Sequence, residues 1–429
     1  MTTLRPGPGT TARALASLLV QSGALRHPLR ARDAARFGLA GAIALAAARD
    51  PAAVALWRGE ESIGTGALLA EVRALAAALA VAPGERIGVR SDGGIGFVAA
   101  LAGAQAAGAD VVPLGPRLAP ADVAGLGLAR VLDPRRGAGG ATTPWRPGRL
   151  LLLSTGTTGA PVATARGRLG LGALAQLADA DRRIAFPRGP LLLLAPPDHG
   201  HGLSALVAAL LRGAPVVLAS GLPPDEQARL AARHRPAAVS GVPAQLARLL
   251  EAGGLGGARV VVTGSSPLDA ALRHKLEATG ARVHDGFGAT GVGTVAIDGR
   301  PLAGVRLRRA DDGTLHVRSP LGGPREVATG DRVEWARGRM RPAGRAGDLV
   351  DSGGELVDPA RLRDLLTSHP GVARAEVTVV ADDLLGVVLH AHVDADPAIE
   401  TELRATIAAR LSRAEHPRRL VIGPRDPAR

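Results

Sequence analysis

Leu150-Leu151-Leu152-Leu153-Ser154-Thr155-Gly156-Thr157-Thr158-Gly159-Ala160-Pro161 reads as a buried strand opening into a hydroxyl- and glycine-rich loop. Glycines let such a loop turn and present its backbone N–H groups, and Ser and Thr hydroxyls add donors, so the combination suits phosphate. A phosphate loop usually supplies a cation just downstream. Here the next residue is Val162, and the chain's sole lysine is Lys275.

Downstream, apolar runs and helical stretches alternate. Strands are expected at Leu191–Ala195, Pro215–Ala219, Ala237–Ser240, Arg259–Thr263 and Arg282–Asp285. Helices are expected at Leu203–Leu211, Pro224–Arg233, Pro243–Ala252 and Leu268–Thr279. Upstream, the helix Thr65–Leu79 precedes a β–α–β unit of Arg86–Val89, Gly96–Ala107 and Asp110–Pro113, and residues 1–36 read as a mostly helical lead-in. Alternation at this pace indicates an α/β fold, a parallel sheet with helices on both faces. From about residue 300, short strands with Gly-rich turns at Arg306–Arg318 and Ala328–Met340 suggest antiparallel structure. Beyond Gly344–Asp348, a pattern of helix, two strands, helix and strand predicts a small α/β lid domain. The expected division is 1–344, a hinge at 345–348, and a small mobile C-terminal domain at 349–429.

The net charge of +13 raises nucleic acid as a partner, but no arginine run exceeds two residues and no aromatics interleave them. The absence of cysteine excludes disulfides and thiolate chemistry. No apolar stretch is strong enough to span a bilayer, and Met1–Gly9 lacks the pattern of a signal peptide, so a cytoplasmic location is expected.

Nine segments in order resemble the adenylate-forming (AMP-binding) superfamily, in particular the actinobacterial fatty-acid–CoA ligases. They are Gly108–Leu114, Ser154–Pro161, Pro196-Pro197-Asp198-His199-Gly200-His201-Gly202-Leu203, Val242-Pro243, Thr263-Gly264-Ser265-Ser266-Pro267-Leu268, Phe287-Gly288-Ala289-Thr290, Thr329-Gly330-Asp331, Gly344-Arg345 and Ser352-Gly353-Gly354-Glu355-Leu356-Val357. The resemblance implies ATP, magnesium and coenzyme A as cofactors, a small carboxylate as substrate, and two half-reactions through an acyl-adenylate. Ser154, Thr155, Gly156, Thr157, Thr158 and Gly159 would hold the ATP phosphates. Ser265, Ser266, Pro267, Phe287 and Gly288 would line the adenine, and Thr290 would bond the α-phosphate. Asp331 and Arg345 would hold the ribose, while His199 and His201 would sit at the acyl pocket. By the same resemblance Gly347 would fall at the hinge, and Ser352, Gly353 and Gly354 would line the pantetheine tunnel.

Three departures accompany the match. Val162 stands where the family has lysine and Gly291 where it has a magnesium-side glutamate. The chain runs His416-Pro417-Arg418-Arg419 and then stops at Arg429 without the family's terminal lysine. Arg166, Arg168, Arg425 and Arg429 are the arginines available nearby, although a guanidinium is a geometrically different donor. The implied alternative is a degenerate member that binds nucleotide or acyl ligand without turnover, as a regulatory or scaffold protein. Apart from the resemblance, Ser154–Pro161 reads equally as a surface loop and the histidines as structural or as a metal pair lacking a third ligand. Asp331 is then a turn former, Arg345 a solvated arginine and Gly353-Gly354 a tight turn.

Overall fold

The computed structural model describes residues 2–6, 9–14, 28–134, 144–155, 161–165, 170–323, 325–345, 349–382 and 384–423. Its strands, in chain order, begin with β1 (Thr2–Leu4), β2 (Val54–Arg58), β3 (Glu61–Gly64), β4 (Arg86–Arg90), β5 (Asp110–Leu114), β6 (Arg130–Leu132), β7 (Leu151–Thr155) and β8 (Pro161–Ala165). There follow β9 (Leu191–Leu193), β10 (Val216–Leu218), β11 (Ala238–Ser240), β12 (Val260–Gly264), β13 (Arg282–Ala289), β14 (Gly293–Ile297) and β15 (Arg300–Pro301). The remainder are β16 (Arg306–Arg309), β17 (Thr314–Arg318), β18 (Val327–Ala336), β19 (Arg339–Arg345), β20 (Val350–Ser352), β21 (Glu355–Val357), β22 (Val372–Asp382), β23 (Gly386–Ala395) and β24 (Arg419–Ile422).

The chain divides into two compact units. The first comprises Met1–Gly115, Leu128–Leu153 and Ala163–Gly344; the second comprises Pro116–Gly127, Ser154–Val162 and Arg345–Arg429. The first is built on a nine-stranded sheet ordered β15-β14-β13-β12-β11-β9-β10-β2-β3. From β13 to β2 every neighbour is parallel. The strands are continuous apolar runs because both faces are covered. Leu191, Leu193, Val216, Leu218 and Val260 enter one core. The intervening Leu192, Val217, Val239 and Val261 enter a second core on the opposite face.

A three-stranded parallel sheet, β5-β4-β6, carries the buried helix Ile95–Ala106. Small residues let this helix approach Thr65–Ala78 closely; a Cβ on Gly103 would lie 2.7 Å from Leu75 Cβ. An antiparallel sheet ordered β1-β16-β17-β18-β19 completes the first unit. Its edge corrects the helical lead-in expected at 1–36: Thr2–Leu4 is a strand registered on Leu307–Arg309. Pairing with a strand some 300 residues away leaves no local periodicity to read. The helix Pro28–Arg49 begins within the expected helical lead-in, but its continuation to Arg49 and the hairpin β2–β3 were not anticipated.

In the second unit, β21-β20-β23-β22 with β24 beside β23 form a sheet. Its core includes Leu362 and Leu366 from the helix Pro359–Thr367 and Leu403 and Ile407 from Glu400–Arg410. No helix among the described residues is long and apolar enough to cross a membrane.

Candidate active site

In the large sheet β9 is followed by β10 on one side, and the chain then crosses to place β11 on the other. Ligands of open α/β sheets bind outside the carboxyl ends of the strands at such a switch point. The segment leaving β9 there is Pro196-Pro197-Asp198-His199, and the one leaving β11 is Gly241-Val242-Pro243.

The turn after β9 is dictated by its residues. Pro196 and Pro197 cannot extend the ladder. His199 takes the extended N-cap conformation of the helix Gly200–Arg212. The helix's first turn packs directly over the strand end, for a Cβ on Gly202 would lie 2.1 Å from the Pro196 carbonyl oxygen. Asp198 is buried beneath Gly115, where a Cβ would come within 2.7 Å of its carboxylate. It accepts a hydrogen bond from Ser91 Oγ at 2.8 Å and pairs with His199 Nδ1 at 2.9 Å. Burial alone would raise this carboxyl, but His199 and Ser91 more than offset it and hold the pKa below its ordinary value. The contact is an ion-pair distance rather than a formed hydrogen bond, so the carboxylate orients the His199 ring and favours a proton on Nδ1. The His199 side chain is half exposed.

His201 lies one residue into the same helix. Its Nε2 is 2.9 Å from Ser240 Oγ, at the end of β11, so this pair bridges the two strands of the switch point. Its Nδ1 would be 3.1 Å from a Cβ on Gly264, the last residue of β12. Beyond Gly264 the chain turns through Ser265, which has φ +71°, into Ser266 and Pro267. Next to it β13 ends at Phe287-Gly288-Ala289, and Thr290 Oγ1 donates to the Leu153 carbonyl at 3.4 Å. The structure therefore brings His199, His201, Ser265, Ser266, Pro267, Phe287, Gly288 and Thr290 to the carboxyl ends of neighbouring strands.

Other anticipated residues lie elsewhere. Asp331 is buried on β18, in the antiparallel sheet, with its N–H donated to Thr329 Oγ1 at 3.2 Å. Ser154 belongs to the second unit, where its Oγ donates to the Val162 carbonyl at 3.5 Å. Thr155 closes β7, while Gly156, Thr157, Thr158 and Gly159 lie outside the described residues, as do Gly347, Arg166, Arg168, Arg425 and Arg429. Arg345 ends β19. Ser352 is buried, and Gly353 and Gly354 have φ +66° and +92°. Two successive positive φ values form the tight connection between β20 and β21, so glycine there already answers a backbone requirement.

Asp198, Ser91 and Ser240 were not among the anticipated site residues. Ser91 lies 107 positions from Asp198 and nothing local marks it. Among the described residues no cluster of three His, Asp or Glu could hold a metal ion, and Gly291 supplies no carboxylate. The described residues thus offer no all-protein cage for a resident magnesium ion.

Two buried groups, His201 at the strand ends and Asp285 inside β13, set a pH signature. Burial pushes His201 down from 6.5 to about 4. Burial, opposed by Arg273 and reinforced by Asp298, pushes Asp285 up from 3.8 to about 6. Neutral His201 contributes stability that is full above 6.5 and lost as pH falls toward 4. Protonated Asp285 contributes stability that is full below 3.8 and lost as pH rises through 6. Each contribution is on the order of 3 kcal/mol, so the slopes nearly cancel. Urea unfolding between pH 4 and 6 should show a nearly flat profile in the wild type, a rise with pH in Asp285→Asn and a fall in His201→Gln. Identical profiles in all three would contradict the assignment.

A family model described as AMP-binding enzyme matches residues 149–357. The chain is 30% identical over 307 residues to a probable 2-succinylbenzoate–CoA ligase of Mycobacterium tuberculosis, covering 64% of this chain and 79% of that protein. It is 33% identical over 162 residues to a long-chain-fatty-acid–CoA ligase of the same organism; this match covers 31% of the chain and only 27% of the relative's length. Its fold is similar to that of an o-succinylbenzoate CoA synthetase from Bacillus subtilis, with a TM-score of 0.77, 21% identity and coverage of 90% and 95%. It is also similar to a malonyl-CoA ligase in a ternary product complex with methylmalonyl-CoA and AMP, with a TM-score of 0.70, 26% identity and coverage of 88% and 97%.

Proposed function

This chain belongs to the AMP-binding enzyme family, and from that premise we propose that it joins a small carboxylate to coenzyme A through an acyl-adenylate. In the first half-reaction a carboxylate oxygen attacks the α-phosphorus of ATP; an acyl–phosphate bond forms, and the α–β bridging bond breaks to release pyrophosphate. In the second, the thiol of coenzyme A attacks the acyl carbonyl and AMP leaves with the electron pair of the broken bond.

The observation that carries this reading is the Ser91–Asp198–His199 chain at the switch point. It presents a half-exposed histidine, held against a buried carboxylate, beside the N-terminus of the helix Gly200–Arg212, a place suited to an anionic carboxylate. Ser265, Ser266 and Pro267 with Phe287 and Gly288 form the proposed adenine wall, and Thr290 the proposed α-phosphate contact. Asp331 and Arg345 are assigned to the ribose, Ser154–Gly159 to the phosphates and Ser352–Gly354 to the pantetheine arm. The proposed hinge lies at 345–348, and the proposed compartment is the cytoplasm.

A second reading, ligand binding without turnover, is favoured by the residues at two charge positions. Val162 is an exposed aliphatic side chain and Gly291 has none. Each lost transition-state donor costs about 10²–10³ in rate. Carboxylate-dependent ATP–pyrophosphate exchange across fatty, aryl and dicarboxylic acids separates the readings. Exchange with one class establishes adenylation, and AMP release that then depends on coenzyme A establishes the ligase; ATP binding without exchange for any acid establishes the binder. Asp331→Ala should weaken ATP binding by about tenfold to a hundredfold in calorimetry, the worth of hydrogen bonds to a charged group. Unchanged affinity would remove Asp331 from the nucleotide site.

A further inference from the structure

The scattered arginines of the sequence converge at one place in the first unit. A cleft of about 740 Å³ is walled by Arg5 after β1, Arg182 and Arg183 at the end of the helix Leu171–Ile184, Arg300 on β15 and Arg339 on β19. Five of its twelve lining residues are arginine, whereas basic residues make up 52 of the chain's 429. This concentration is unfavourable unless compensated, because like charges gathered in a cleft with low-dielectric walls reinforce one another's field.

The compensation present is small and faces inward. The one carboxylate in the lining, Asp298, has both oxygens engaged: Oδ2 with His284 Nδ1 at 2.9 Å and Oδ1 with the Asp285 N–H at 2.9 Å. Asp179, fully buried behind the wall, is shared by Arg182 and Arg183 at 2.7 Å each. Backbone carbonyls orient the cations further. Arg183 donates to the carbonyls of Arg300 and Pro301 at 3.1 and 2.7 Å, and Arg339 donates to that of Asp298 at 3.3 Å. Arg5, Arg300 and Arg339 have no carboxylate partner among the described residues.

The cleft is distinct from the proposed active site. Its Asp298 turn joins β13 at Asp285, four residues before the strand's carboxyl end at Ala289, or roughly 13 Å along the strand. We propose that it binds a compact anion bearing two or more phosphate groups, the ligand class whose several charged oxygens match a fan of planar guanidinium forks. Nucleotide polyphosphates and doubly phosphorylated sugars share this chemistry; the cleft supplies cations and carbonyl-fixed forks.

Calorimetry on the full chain in the Asp331→Ala background, which weakens the proposed nucleotide site, provides the test. Inorganic tripolyphosphate, GTP and fructose 1,6-bisphosphate are the probes, each at two salt concentrations. Saturable binding that weakens about tenfold for each of Arg300→Gln and Arg339→Gln, with a shallower salt dependence, is the expected result. GTP binding without the bisphosphate identifies a nucleotide source; the reverse identifies a sugar phosphate. Arg5→Gln, which alters only an exposed position, is the third variant should either of the others melt at a lower temperature. Binding unchanged by all three substitutions, absence of binding by every probe, or preference for a DNA duplex over every probe would overturn the proposal.

Discussion

Arg361→Met should lower the unfolding free energy of the second unit by roughly 3–5 kcal/mol, the cost of removing one partner from a buried ionic cluster. Arg361 donates from Nη1 to both oxygens of Glu415 at 3.1 Å and pairs through Nη2 with Asp122. Glu415 is 3% exposed and Asp122 7%. Burial alone would lower the Arg361 pKa, but Glu415 and Asp122 more than reverse this, and the guanidinium titrates above its ordinary value. Its removal strands two carboxylates. Glu415 keeps the Ser412 N–H at 2.9 Å, whereas Asp122 Oδ2 already lacks a hydrogen-bond partner among the described residues. The same cluster explains why Pro116–Gly127 belongs to the second unit although it lies between β5 and β6. Arg361 holds Asp122, Arg117 pairs with Glu355 at 2.7 Å, and the Arg117 carbonyl accepts from the Arg413 N–H at 3.2 Å. Chemical denaturation of wild type, Arg361→Met and the triple variant Asp122→Leu, Arg361→Met, Glu415→Leu checks this. The triple variant should recover most of the loss, because replacing a whole buried cluster with apolar residues is often neutral or better. A single variant as stable as wild type would show that the cluster contributes nothing.

What could be read in the sequence follows the range of the forces involved. Continuous apolar runs such as Leu191–Ala195 marked the parallel strands, and the helix Pro243–Ala252 begins and ends where its proline and Gly253 require. The switch-point histidines were marked only by the family-like segment Pro196–Leu203, and the residues alone left them equally readable as structural. Residues that act through long-range partners were not legible. Ser240 meets His201 only because β11 crosses beneath the helix Gly200–Arg212, and Asp198 serves His199 only with Ser91 supplied from the loop after β4. Asp122 has no local feature that assigns it to a unit formed mainly after residue 344. The arginine cleft draws on positions 5, 182, 183, 300 and 339, so a search for charge runs had to miss it.

Val162→Lys should raise ATP–pyrophosphate exchange about 10²–10³-fold over wild type, and adding Gly291→Glu should raise it further. Phosphoryl and nucleotidyl transfer depends mostly on positioning and on neutralising charge that develops as the α–β bond breaks. The resemblance places a lysine at 162 and a magnesium-side carboxylate at 291, and the structure has room for both. Val162 is 50% exposed on β8, so a longer side chain meets no packed wall. Gly291 lies outside the left-handed region, and among the described residues a Cβ there would touch only Thr164 Cγ2, at an ordinary 3.7 Å. Neither substitution therefore carries a folding cost large enough to hide a catalytic gain, which melting temperatures within a few degrees of wild type would verify. A control with Val162→Arg tests whether charge alone suffices; a guanidinium reaches differently from an ammonium and should give a smaller increase. If neither wild type nor the paired variant exchanges for any acid, while both still bind ATP, the lost charges are not what silences the chain. The proposed adenylating site would then have to be given up in favour of a ligand-binding role.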